Sequence, residues 1–392
     1  MGEMLTSNQK ETIAERIEAS GISRRKFIEF CGMLMAAAPV GLSLTSKASA
    51  EQVADRVGKA KRPSVIWLHF QDCTGCSESI LHTSKPDVAE LMFEVISLDY
   101  HETLMAASGY QAEKSLREAV EANKGKFVLV VEGSIPTKDS GVYMKLAGKP
   151  ALEVLQEVGS KAALVVAMGS CASWGGIPSA DPNPTTAQGV DSLLKDKTVI
   201  NVPGCPPNPY TLFSLILEYA AMHHMPALDA ENRPKFAYDR LIHEHCPRRA
   251  HFDAGRFASM YGDEGHRQGW CLYKLGCKGP VTHAPCSTLH FNEIPDVWPI
   301  GIGAPCVGCT ERATAFRTPL FQLAAVHAMT PSEELPSVNA PAGKLNVAAA
   351  GTAGIVVGAL ATAAVIAANR LPNGKDGAED GSKPKGIFWG GK

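Results

Sequence analysis

SVIWLHFQDCTGCSES, residues 64–79, runs from a β-branched apolar stretch directly into two cysteines, Cys73 and Cys76, spaced C-x-x-C. Taken alone, that pair fits a thioredoxin-like redox site, half a zinc site, a phosphate-cradling loop or part of an iron–sulfur cluster. The apolar stretch before it decides the fold. It is the first of five similar runs: SVIWLHF (64–70), FEVISLD (93–99), KFVLVVE (126–132), AALVVAM (162–168) and TVINV (198–202). Helical patterns such as EKSLREAVEANK and PALEVLQEVG separate several of them. Near-continuous apolar strands alternating with helices predict an α/β fold, a parallel sheet covered on both faces.

The cysteines fall at one place in this pattern. Cys73 and Cys76 follow the first run, Cys171 (MGSC) the fourth and Cys205 (NVPGC) the fifth. All four lie beyond the carboxyl ends of predicted strands, where open α/β sheets bind ligands. Four thiols converging on one edge fit a four-thiolate metal site better than two disulfides. Gly169, Gly175, Gly176 and Gly204 would let the backbone approach a bulky cluster. Pro206 and Pro207 are expected to start the helix carrying TLFSLILEY.

The ends of the chain read differently. SRRKFI (23–28), a charge-free run from Phe30 to Leu44 and Ala48-Ser49-Ala50 have the layout of a twin-arginine signal, so residues 1–50 are expected to be removed after Ala50. Near the other end, Val347–Ala368 is a 22-residue run without a charge, following the linker TPSEELPSVNAPAG and preceding the polar tail NGKDGAEDGSKPKG. Such a run spans about 33 Å as a helix, enough for a membrane. The expectation is a linker at 326–344, one transmembrane helix at 345–369 and a cytoplasmic tail at 370–392, with Arg370 and Lys375 on the inner side. The body would then lie in the periplasm. The whole chain's formal net charge of −2, with no basic tract, gives no sign of nucleic-acid binding.

From about residue 237 the regular patterns stop. HEHC (243–246), CLYKLGC (271–277), Cys286 and PCVGC (305–309) stand among Gly, Pro and short polar stretches, and bound metal can hold such a region together. Eleven cysteines are present; Cys31 lies in the signal, and disulfides are the bland alternative for the other ten in an oxidising compartment. Zinc also permits these spacings. It brings no redox chemistry, and iron–sulfur ligation is preferred.

The ordered motifs CTGCSE, GSC, PGCPPNP, HEHC, CLYKLGCKGP, C-x19-C-x-x-C and WPIGIGAPCVGC closely resemble the small subunit of nickel–iron hydrogenases, over residues 61–325. Signal and tail are similar to those of the membrane-anchored uptake group, of the hydrogenase-2 type. The resemblance implies a flavodoxin-like domain at 51–236 with Cys73, Cys76, Cys171 and Cys205 on a proximal [4Fe–4S] cluster. It implies a second domain at 237–325, in which His243, Cys246, Cys271 and Cys277 hold a distal [4Fe–4S] cluster. Cys286, Cys306 and Cys309 then hold a medial [3Fe–4S] cluster. These sets use every cysteine after Cys31 and leave none for a disulfide. Of the two HEHC histidines, His243 is preferred because it stands at the C-x-x-C offset from Cys246, whereas His245 is adjacent to it. Pro299 occupies the family position of the absent fourth medial ligand, and proline offers no donor atom.

The resemblance further implies an electron wire. Hydrogen is split at a nickel–iron site in a separate large subunit, whose D-P-C-x-x-C motif is missing here. Electrons pass proximal to medial to distal, then to a membrane b-type cytochrome, or to an iron–sulfur protein with a quinone-reactive membrane subunit. The assembly is expected to be a heterodimer or a dimer of heterodimers, and no residue of this chain is nominated as an acid–base catalyst. Oxygen-tolerant relatives carry extra cysteines where this chain has Gly75 and Gly176, so an oxygen-sensitive enzyme is expected. A complex I-like iron–sulfur subunit, and a zinc- or disulfide-stabilised periplasmic binding module, are the competing readings.

Overall fold

The computed structural model describes residues 12–19 and 55–326, apart from 56, 85–86, 91–93, 223–224 and 292–293. The described residues belong to one compact unit; residues 327–392, with nearly all of the linker, the 345–369 span and the tail, lie outside the described residues. Among the described residues no helix is long and apolar enough to cross a membrane.

Each of the five apolar runs contributes a strand: β1 (Ser64–His69), β2 (Ser97–His101), β3 (Val128–Glu132), β4 (Leu164–Met168) and β5 (Val199–Val202). They pair in parallel in the order β2-β1-β3-β4-β5, the flavodoxin-type order. The β-branched runs are buried on both faces because alternate side chains serve two cores. One face carries Val65, Trp67, Val128, Val130, Val166 and Ile200 against Leu212, Phe213 and Ile216 of a helix at Pro209–Met222. The other carries Ile66, Leu68, Leu129, Val131 and Val165 against Leu116 and Val120 of Gly109–Ala122 and Leu155 of Ala151–Gly159. Burying one such Val, Leu or Phe contributes ~1.5–3 kcal/mol. Apolar side chains on both faces do not fix register by polarity, but the polar strand ends can. His69 pairs with Glu132 across β1 and β3, which aligns the polar residues on the carboxyl edge.

One expectation changes. The helix after Cys205 begins at Pro209, so Pro206 and Pro207 precede it in the loop. Within the segment expected to be removed as a signal, Ile13–Ala19 of the full chain is a helix packed on the body. Ile13 is fully buried in the first core and its N–H donates to the Ala60 carbonyl at 2.9 Å. Ala50 and the Arg24–Arg25 pair lie outside the described residues.

Between residues 238 and 326 the described residues form only short helical turns, around a third core of Ile242, Leu272, Leu275, Trp298 and Ile300. Cys277 and Cys306 belong to that core, and Cys246 and Cys286 pack against it.

Candidate metal centres

The strand order reverses between β1 and β3, and a crevice at that switch point is where such sheets take ligands. The two loops leaving these strands are stitched together there: Gln71 and Ser134 exchange main-chain N–H···O bonds, each 3.0 Å. Cys73 and Cys76 flank the start of the helix Gly75–Ile80, Cys171 lies in Gly169–Trp174 directly after β4, and Cys205 lies three residues after β5. The fold therefore brings together the four thiols that the sequence placed at strand ends. Thr74, between the first two, adopts φ 61, a left-handed conformation that costs such a residue ~1–2 kcal/mol and marks a loop under functional constraint.

Close packing explains two glycines. A Cβ at Gly169 would lie 2.4 Å from Cys76 Sγ, and one at Gly176 only 2.5 Å from Cys171 Sγ. Burial pushes the Cys76 thiol well above its ordinary range, and Glu132 and the other three cysteines push it further in the same direction. Burial, then Cys205, pushes Cys171 up to about 12. Thiols so placed stay protonated and inert unless a cation joins them; a bound metal deprotonates its thiol ligands outright.

Sequence reasoning missed the support beneath this loop. Glu132, 1% exposed, accepts hydrogen bonds from Cys76 N–H (3.0 Å), Ser77 N–H (3.0 Å), Ser77 Oγ (2.6 Å) and Trp67 Nε1 (3.2 Å). Burial raises its pKa, against the Ser77 hydrogen bonds that lower it. The available signal was a lone carboxylate closing the apolar run KFVLVVE. Glu132→Ala removes the shared acceptor of these donors, and at ~1–3 kcal/mol for each donor left buried and unpaired, one or two that water or relaxation does not rescue set the cost. Denaturant unfolding should show a loss of ~2–4 kcal/mol; a loss below ~0.5 kcal/mol would mean that the carboxylate does not hold the loop.

A second group gathers around one pocket, lined by His243, Cys246, Cys271 and Cys277 with Ile242, Arg248, Leu272, Tyr273, Gly279, Pro280 and Ile300. His243 is 5% exposed, and its Nε2 is buried without a hydrogen-bond partner. Buried polar atoms are rarely orphaned, so an orphaned nitrogen in a pocket with three thiols is a donor suited to a metal. The Phe252 ring stands edge-on to this imidazole at 4.6 Å. Burial, and then the positive charge of Arg249, lowers its pKa and keeps it neutral, the form that ligates metal.

Cys286, Cys306 and Cys309 form the third group. Burial, then Cys306, pushes Cys286 up to about 12, and Cys306 and Cys309 are raised further still. Pro299 stands between the core residues Trp298 and Ile300, and its carbonyl accepts from Ala304 N–H at 2.7 Å.

The three groups also touch in series. Cys205 lies close enough to Cys309, and Cys277 to Cys306, for each to raise the other group's thiol, and Lys278 N–H, next to Cys277, donates to the Cys306 carbonyl at 2.8 Å. Ser170 Oγ reinforces the first junction, donating to the Cys309 carbonyl at 2.7 Å and accepting from Gly204 N–H at 3.1 Å. All ten described cysteines are free thiols. The donor sets fit iron–sulfur ligation: free, buried, mutually facing thiols, one orphaned imidazole nitrogen and main-chain N–H groups aimed at sulfur. His245 is not among the residues lining the pocket. His283 is held elsewhere, by Glu311 at 3.1 Å.

Such a fold and such sites define a class: a subunit of a redox enzyme, built on a flavodoxin-type sheet with cysteine-rich metal centres in series. The first half matches a family model described as NADH ubiquinone oxidoreductase, 20 Kd subunit, over residues 73–219. The second half matches, over 238–322, one that describes the C-terminal part of the NiFe/NiFeSe hydrogenase small subunit. The chain is 48% identical over 371 residues to the hydrogenase-2 small chain of Escherichia coli K12, covering 94% of this chain and 98% of that one. It is 45% identical to the quinone-reactive Ni/Fe-hydrogenase small chain of Wolinella succinogenes, over 75% of this chain and 82% of that one. Among solved structures, the reduced, active Ni-Fe-Se hydrogenase of Desulfomicrobium baculatum superposes with a TM-score of 0.62 at 33% identity, covering 67% of this chain and all of the matched one.

The chain belongs to the small subunits of nickel–iron hydrogenases. It is the electron-transfer subunit of a hydrogen-oxidising enzyme, paired with a large subunit that carries the nickel–iron site, and members of this family hold iron–sulfur clusters. The match over 238–322 spans the second and third cysteine groups and sets the chain apart from a complex I-like subunit, whose model matches the first half.

Proposed function

We propose that Cys73, Cys76, Cys171 and Cys205 hold a proximal [4Fe–4S] cluster, Cys286, Cys306 and Cys309 a medial [3Fe–4S] cluster, and His243, Cys246, Cys271 and Cys277 a distal [4Fe–4S] cluster. The observation that carries this reading is that the three groups adjoin in series, Ser170 beside Cys171 bonding the Cys309 carbonyl and Lys278 beside Cys277 bonding the Cys306 carbonyl. The clusters supply one-electron transfer; the chain spaces them and excludes water between them. The proximal group faces the large subunit: Cys73 and Cys205 are exposed, leaving that site open at the surface. Electrons leave at the His243 end for a membrane partner, a b-type cytochrome or an iron–sulfur protein with a quinone-reactive membrane subunit. The name of the Wolinella relative supports a quinone as the final acceptor.

On this reading the body is exported by the twin-arginine route into the periplasm, is held by one C-terminal helix at 345–369, and serves an oxygen-sensitive enzyme. A proximal site without added cysteines fits the packing at Gly176, whose φ of +52 and contact with Cys171 leave no room for a side chain. The heterodimer, purified anaerobically, should contain about eleven irons in this chain and a broad absorbance near 400 nm. It should also show a [3Fe–4S] signal by electron paramagnetic resonance and hydrogen-dependent dye reduction that fades in air. A colourless or zinc-containing preparation would sink the reading.

A further inference from the structure

Lys278 directly follows Cys277 and is 2% exposed, among the largest side chains fully buried in the molecule. Its Nζ donates to the main-chain carbonyls of Gly276 (2.9 Å), Pro319 (3.2 Å), Leu320 (3.3 Å) and Gln322. Its own N–H donates to the Cys306 carbonyl at 2.8 Å. Among the described residues no carboxylate pairs with it, and the ionisable groups acting on it are the thiols of Cys277 and Cys306. An ammonium has three donors and no lone pair, so a cage made only of carbonyls selects the charged form. A neutral amine would turn its lone pair toward one of those oxygens.

A buried cation without a counter-ion is costly, and stapling residues 319–322 would need only a neutral donor. What a cation adds is charge, and it stands beside one ligand of the distal set and one of the medial set. Cluster potentials follow net charge and hydrogen bonding around the sulfurs, and a nearby positive charge favours the more negative, reduced cluster. From this placement we infer that Lys278 is a positioning residue for charge, which raises the reduction potentials of the medial and distal clusters together and so keeps them matched for electron exit. The inference rests on the assignment of Cys277 and Cys306 to those two clusters.

The test uses the purified heterodimer, with redox titration followed by electron paramagnetic resonance. Lys278→Gln should keep its iron, while both midpoints fall. At the wild-type midpoint the reduced-to-oxidised ratio drops about tenfold, or ~59 mV for a one-electron couple. The proximal midpoint should move least. Lys278→Arg keeps the charge and should hold both midpoints at the wild-type values. Unchanged midpoints in an iron-replete Lys278→Gln protein would overturn the inference. So would a fall in Lys278→Arg as large as that in Lys278→Gln, or loss of medial and distal iron in Lys278→Gln, which would make the lysine a structural staple. Absence of medial and distal signals in the unsubstituted enzyme would instead overturn the ligand assignments.

Discussion

Replacing Cys76 with alanine should empty the proximal site of about four irons and lower hydrogen-dependent dye reduction at least ~100-fold, since even the partners behind metal ligands are worth 10–100-fold. Of the four thiols it is the most enclosed: Cys73, Cys171, Cys205 and Glu132 all act on it, and Gly169 leaves no slack beside its sulfur. Its loss cuts the wire at the end nearest the hydrogen site, so no route remains through the medial and distal sets. The sheet itself should survive, because Cys76 lies in a loop and helix beyond the strand ends, and removal of the thiol should cost ~1–3 kcal/mol. Iron analysis, circular dichroism and dye reduction on one anaerobic preparation separate these effects. Full iron content with normal activity would rule out Cys76 as a ligand.

The second large effect is expected at His243. His243→Ala removes the imidazole that shares a pocket with the three thiols of the distal group, the ring that Phe252 packs against. Electron delivery to the membrane acceptor should fall by ~10–100-fold, whereas dyes that accept electrons earlier in the chain should keep part of their reduction. His243→Cys should restore a four-iron cube. A thiolate in place of neutral imidazole adds negative charge, so the restored cluster should have a lower potential. The measurements are the distal midpoint and the ratio of quinone-coupled to dye-coupled activity. A distal midpoint unchanged in His243→Cys would show that His243 is not a ligand.

The parallel sheet and its five strands were legible because both faces are buried, which turns each strand into an unbroken β-branched run. The four thiols of the first site were legible for a related reason: the carboxyl ends of parallel strands share one edge, so positions 73, 76, 171 and 205 meet although the chain separates them. The second half gave no periodic signal to place. There the ordered motifs and their resemblance carried the reading, and His243 rested on its spacing from Cys246.

Tertiary structure alone decided how the three groups join and what surrounds them. The hydrogen bonds from Ser170 to the Cys309 carbonyl and from Lys278 N–H to the Cys306 carbonyl link segments far apart in the chain, and no local pattern encodes them. The same holds for Glu132 beneath Cys76, for the docking of Ile13 on the body, and for Lys278, whose cage is closed by carbonyls some forty residues downstream. By itself the sequence determined which residues can carry metal and on which sheet edge four of them lie, because side-chain chemistry and strand periodicity are local properties. Their order in space, and the charge held between them, came from packing, which depends on every segment at once.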